Sequence, residues 1–227
     1  MSGIKTFTEI RERFSHFASW AVWADEGVNP KDNIDDLSVL NPDVNPNLLK
    51  ILHGNAILLG LNISRRIERL LGNFHDPRPM ATDFKIRYAL KDTSYWGSYM
   101  TDIIKAFEEK ASGKMMSFLR TNKDFERENI RKLREEIEFL RFSQPTLVAF
   151  GKDAEKIAER NLSKEFKIVG IPHYANYISK EITANESAVS FHNYQPTRTQ
   201  NKALHRTAIP LRSIAAGEPV VRRSYGY

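Results

Sequence analysis

Four short apolar runs constrain the fold of this chain more than any other feature: NAILLG at 55–60, SYMTD at 98–102, PTLVAF at 145–150 and FKIVG at 166–170. The first breaks at Gly60 and passes through LNIS into the helical pattern RRIERLL. The second breaks into IIKAFEEK, the third breaks at Gly151 into KDAEKIAER, and the fourth ends at IPHYANYISKE. Strands this continuously apolar are covered on both faces, and alternating them with helices makes a parallel sheet. The expected fold class is α/β: a three-layer sandwich with a central, mainly parallel four-stranded sheet flanked by helices.

The intervening segments fit that plan. Ile130, Leu133, Ile137 and Leu140 mark one face of a long helix within NKDFERENIRKLREEIEFLRF. At the N-terminus Ile4, Phe7, Ile10, Phe14, Phe17 and Ala21 recur at three- and four-residue steps, with Trp20 and Trp23 extending the apolar side. Pro30, Pro42 and Pro46 then punctuate a loop with short helical turns. Residues 1–197 are expected to form one domain with an N-terminal helical segment over 1–50.

Charge and composition bound the function. The 227 residues contain no cysteine, which excludes a disulfide framework, thiolate zinc sites and cysteine-ligated iron–sulfur clusters. The formal charge is +6, but residues 198–227 hold six basic residues against Glu218 alone, leaving about +1 on the rest. Any nucleic-acid surface on the body must therefore be local. The tail has no amphipathic period and is broken by Pro210, Gly217, Pro219 and Gly226. It is expected to be a basic, poorly ordered extension, and it resembles the translated edge of an integron recombination site. An ordinary basic tail that contacts nucleic acid is the alternative. MSGIKTFTEIRERF lacks the apolar core of a signal peptide, and no stretch approaches a membrane span. A monomeric cytoplasmic protein without a membrane partner is expected.

In a parallel sheet, ligands bind beyond the carboxyl ends of the strands. Those ends are Gly60 to Ser64, Thr101 and Asp102, Gly151 and Lys152, and Pro172 to Asn176. Asp102 has two readings there: it faces a pocket, or it caps a helix beginning at IIKAFEEK. His75, Asp76 and Asp83 are potential metal ligands whose spacing matches no common pattern, and no metal or other cofactor is expected.

The strand ends resemble motifs of the uracil-DNA glycosylase superfamily. ILLGLNIS at 57–64 is similar to the Gly-x-Asn-Pro-Gly motif of the mismatch-specific branch, with Asn62 on the catalytic asparagine and Ile63 and Ser64 replacing Pro and Gly. GNFHDP places Phe74 on the aromatic that stacks against the flipped base. YMTDIIK is similar to a Tyr-Ile-Thr-Asn-Val-Val-Lys run, IPHYA at 171–175 sits where the family has His-Pro-Ser, and LVAFGKDA resembles the strand and turn between them. The likeness spans roughly residues 50–182.

The resemblance implies a monofunctional DNA glycosylase that flips a base into a pocket and hydrolyses its N-glycosidic bond, leaving an abasic site. Asn62 would orient the attacking water and His173 would donate to the departing base. Leu61, Phe74 and Asp102 would hold the base, while Ser64, Arg65, Lys152, Tyr174 and Asn176 would contact DNA. Where the family pairs an asparagine with uracil, this chain has Asp102. A neutral carboxyl donates to N3 and accepts from N4 of a cytosine edge, and burial favours that neutral form. Removing ordinary cytosine would destroy the host genome, so a modified cytosine, hydroxymethylated or glucosylated in phage DNA, is the expected substrate and antiviral defence the expected role. Three alternatives stay open: uracil or mismatch repair, a catalytically silent nucleic-acid-binding module, and a nucleotide-processing hydrolase.

Overall fold

A computed structural model describes residues 3–105 and 107–177. The expected basic tail and the end of the expected domain lie outside the described residues.

The chain runs α1 (Gly3–Phe14), β1 (Ser19–Trp20), a 3₁₀ turn (Leu37–Leu40), α2 (Leu48–Ile51), β2 (His53–Asn62), α3 (Phe84–Leu90), β3 (Ser98–Ile104), α4 (Ser112–Thr121), α5 (Lys123–Leu140), β4 (Thr146–Phe150), α6 (Lys152–Leu162), β5 (Ile168–Ile171) and α7 (Tyr174–Tyr177). The strands form one sheet in the order β1-β3-β2-β4-β5. The four strands read from the sequence are parallel neighbours, as expected. The expected count of four is corrected to five, because Ser19–Trp20 pairs antiparallel with Tyr99 and Met100 at the β3 edge.

Burial explains these elements. Every residue of β3 and β4 is buried, as central strands require. On α5, Ile130, Leu133, Ile137 and Leu140 enter the core, while Arg131 pairs with Glu128 and Glu135 outside. On α6, Ala154, Ile157, Ala158 and Leu162 form the buried stripe. No described helix is long and apolar enough to cross a membrane.

Three expected helices change. The N-terminal helix stops at Phe14 rather than reaching Ala21. RRIERLL is irregular: Leu71 adopts a left-handed backbone (φ 62°) and donates its N–H to the Ser15 carbonyl. IIKAFEEK does not begin a helix either, because β3 continues through Ile103 and Ile104, both fully buried. Lys105 then ties the strand end to α5, through its N–H to Asn129 Oδ1 at 2.9 Å and its Nζ to Glu136 at 2.8 Å. Asp102 therefore caps no helix.

Candidate active site

The site grows from the register of β2 on β3, which sets Gly60 directly beside Asp102. Gly60 has no side chain to fill the space above it. A Cβ there would fall 2.1 Å from Asp102 Oδ1 and 3.3 Å from Phe74 Cζ. The carboxyl and the ring thus flank one spot over a bare stretch of strand.

Phe74 reaches that spot from the loop after β2, at a left-handed backbone (φ 63°) that non-glycine residues rarely adopt. Two bonds hold it: Asn73 Oδ1 accepts from the Phe74 N–H at 3.1 Å, and Trp23 Nε1 donates to the Phe74 carbonyl at 3.2 Å. Asn73 also donates through Nδ2 to Asp102 Oδ2 at 2.7 Å and to the Phe17 carbonyl at 2.8 Å. One buried amide therefore orients both the ring and the acid.

Asn62 ends β2. Its Nδ2 donates to three carbonyls, of Ile63 at 3.0 Å, Phe107 at 3.4 Å and Glu109 at 2.7 Å. Those contacts fix which amide atom is nitrogen. No described residue donates to Oδ1, which is left as an acceptor.

His173 follows β5 and packs against Gly151, where φ is 87° and an added Cβ would lie 3.0 Å from His173 Cβ. His173 Nδ1 accepts from the Ala175 N–H at 3.1 Å, and burial lowers its pKa. The neutral ring thus keeps its proton on Nε2, as a donor. A chain of rings connects it to Phe74: His173 stacks on Tyr174 at 4.3 Å, Tyr174 meets Phe150 edge-on at 5.4 Å, and Phe150 lies 6.3 Å from Phe74.

These groups open on one cleft of about 700 Å³ at the carboxyl ends of the parallel strands, within the size range of small-molecule sites. Asn62, Ser64, Arg65, Phe74, Asp102, Lys152, His173 and Tyr174 all line it. Leu61 borders it too, but its side chain belongs to the hydrophobic core, so only its backbone is offered to the cleft. Asn176 lies on α7, the turn that carries Tyr174.

No family model, curated protein or solved structure matches this chain.

Charge in the cleft is sorted by depth. The exposed charged residues on its lining are all cations, Arg78, Lys110 and Lys152, whereas Asp76, Asp83, Asp102, Glu109 and Asp153 are half-buried or buried. Burial pushes the Asp102 carboxyl up to about 6; the Asn73 hydrogen bond and the Lys105 charge pull it down, while Asp83 and Glu136 add to the rise. Burial also pushes Asp83 up to about 6, against the bond it accepts from the Asp76 N–H. Asp76 behaves differently. Burial opposes its charge, but Arg78 and Arg65 outweigh that and hold it low. Burial, with the three acids nearby, lifts the Tyr174 hydroxyl well above its usual range.

Several residues differ from their sequence-based roles. Arg65 is turned inward, with Nε on Asp76 Oδ2 at 2.8 Å and its side chain only 18% exposed. Tyr174 packs between two rings as part of the wall. His75 leaves the metal reading: it is buried between Trp23, Ser19 and the Ile34 carbonyl, and burial pushes it down to about 3. The sequence reasoning missed Asn73 and Phe150, and read Asp83 only as a potential metal ligand. The only signal for Asn73 was its place inside GNFHDP, beside the residue singled out.

Proposed function

We propose that the chain is a monofunctional DNA glycosylase whose cleft receives one flipped-out base, a modified cytosine. The observation that carries this is the convergence of Asn62, Phe74, Asp102 and His173 on a single cleft whose exposed charges are all positive. Cations at the mouth suit a phosphate backbone, and a buried carboxyl that holds its proton more tightly than usual, Asp102, suits a base edge.

Each group has chemistry to match. Asn62 Oδ1, with its amide nitrogen held by carbonyls, accepts a hydrogen from water and aims its oxygen at the sugar carbon. Phe74 and the ring chain behind it give the base a face to stack on. His173 Nε2–H donates to the departing base and stabilises the charge developing there. For Asp102, Asn73 already donates to Oδ2, so the proton of the neutral acid sits on Oδ1. The acid then presents Oδ1–H to N3 and the free lone pair of Oδ2 to the N4 amino group, the complement of cytosine rather than uracil.

A cleft of about 700 Å³ is larger than a pyrimidine alone needs, and the surplus suits a substituent at C5. Because the host genome must be spared, the substrate is placed in foreign DNA carrying hydroxymethylated or glucosylated cytosine, which makes the role antiviral.

The test is incubation with unmodified DNA, uracil-bearing DNA and DNA carrying modified cytosine, scoring released base and abasic sites, for the native protein and Asn62→Ala. Release from modified DNA alone, lowered at least about a hundredfold in Asn62→Ala, is expected. Release of uracil alone would move the assignment to repair. Release of nothing, with tight DNA binding, would make the chain a recognition module.

A further inference from the structure

Two buried charges lie behind the cleft without lining it. Lys105 and Glu136 are absent from its walls, and their side chains are only 8% and 1% exposed. Strand alternation turns Tyr99, three residues before Asp102, to the opposite face of the sheet, where α5 packs and Glu136 Oε1 accepts from the Tyr99 hydroxyl at 2.7 Å. Lys105 Nζ lies 2.8 Å from Glu136 Oε2, at an angle too sharp for a hydrogen bond, so charge is what joins them. A buried ion pair adds little net stability over well-packed apolar side chains, and its presence here calls for another task.

The contacts of the pair supply one. The Lys105 ammonium donates to the Asp102 carbonyl at 2.5 Å and sits 5.2 Å from the centre of the Phe17 ring. These are the same two residues that Asn73 binds, at Asp102 Oδ2 and at the Phe17 carbonyl. Lys105 thus anchors the main chain that carries the acid. A lone ammonium so close would also favour the Asp102 carboxylate over the acid, and Glu136 opposes it, raising the Asp102 pKa where Lys105 lowers it. The other titratable groups that face Asp102, Asp83 and Tyr174, do so from the cleft.

We infer that Lys105 and Glu136 are positioning residues for Asp102: the ammonium fixes the end of β3, and the Glu136 carboxylate offsets its charge, so that the acid is anchored without being paired to a cation. The inference rests on the glycosylase reading of the cleft. Neither residue touches the base, and both act through Asp102.

The experiment uses Glu136→Gln, which keeps an oxygen for Tyr99 and removes the charge, and the double variant Glu136→Gln with Lys105→Met, which removes both charges at similar volume. Two quantities are read. One is the alkaline limb of the pH–activity profile on modified-cytosine DNA, where base release fails as Asp102 loses its proton. The other needs no activity: the pH at which the stability difference between each protein and its Asp102→Asn counterpart levels off in urea unfolding. In Glu136→Gln the uncompensated ammonium is expected to move both at least about one pH unit lower. In the double variant both are expected to return to within about half a pH unit of native, while base release falls about tenfold or more because the anchor is gone. With Asp102→Asn present, Glu136→Gln should leave the pH profile where it was. A limb and a levelling-off that stay in place in Glu136→Gln, or a double variant that releases base at the native rate, would overturn the inference and leave the glycosylase reading intact. Should Glu136→Gln not fold, the double variant decides alone, by its native limb and lowered rate. No release from any DNA by the native protein would overturn the glycosylase reading and this role with it, whatever the urea series shows.

Discussion

Replacing Asp102 by Asn gives a stability change whose sign and pH window follow from the site. In the folded protein the carboxyl is pushed from an ordinary 3.8 to about 6. Between those values the folded chain keeps a proton that the unfolded chain has released. Stability therefore falls as pH rises through the window and levels off above about 6. At about 1.4 kcal/mol per pH unit, the ionised Asp102 costs about 3 kcal/mol at pH 8, and only about 0.5 kcal/mol at pH 4. The side chain is only 3% exposed, so solvent screening does little to reduce this. The substituted amide keeps an oxygen to accept from Asn73 Nδ2 and cannot ionise. Urea unfolding of both proteins at pH 4, 5, 6, 7 and 8 should show Asp102→Asn within about 0.5 kcal/mol of native at pH 4 and about 3 kcal/mol more stable at pH 8. His75 titrates in the opposite sense, its buried neutral ring giving up stability as pH falls towards about 3, but it is common to both proteins and leaves the difference. A difference that does not vary with pH would refute the buried, raised carboxyl.

Three further outcomes follow from the same contacts. Gly60→Ala puts a methyl 2.1 Å from Asp102 Oδ1, so overpacking should cost about 1–3 kcal/mol in denaturant unfolding, and base release should fall because the carboxyl is displaced. Asn73→Ala removes the donor to Asp102 and to the Phe17 carbonyl, so stability should drop by about 1–3 kcal/mol. The same variant should also move the alkaline limb of the pH–activity profile to higher pH, since the lost bond favoured the carboxylate; a purely structural residue would leave that limb in place. His173→Phe keeps the ring stack on Tyr174 but removes the Nε2–H, so kcat should fall with little change in DNA affinity measured by anisotropy.

Much of the scaffold was legible because it is written in repeated burial. The four parallel strands are apolar on both faces, and α5 and α6 carry buried residues at helical steps. What failed was local pattern overridden by tertiary partners. IIK reads as the start of a helix, yet Ile104 is taken by the register opposite Asn62, which prolongs β3. RRIERLL has helical spacing but no face to bury: Leu70 is 45% exposed, and Leu71 is turned under by its bond to Ser15. Two residues, Ser19 and Trp20, are too few to show any period. In the site, strand ends pointed to Asn62, Asp102 and His173, because topology alone draws ligands there. Asn73 acts through bonds to residues 29 and 56 positions away, which no local pattern records. Arg65 looked like a phosphate contact because its partner Asp76 is eleven residues off, across a loop.

On the proposed function Asp102, as a neutral acid fixed by Asn73, reads a cytosine edge on a base held in this cleft. The most direct measurement is the ratio of base released from modified-cytosine DNA to that released from uracil DNA, taken for the native protein and Asp102→Asn at the same pH. A ratio far above one is predicted for both, because the amide, with its oxygen on Asn73 Nδ2, keeps an N–H donor where the neutral acid has Oδ1–H. A ratio near or below one in either protein, with both active, would contradict it.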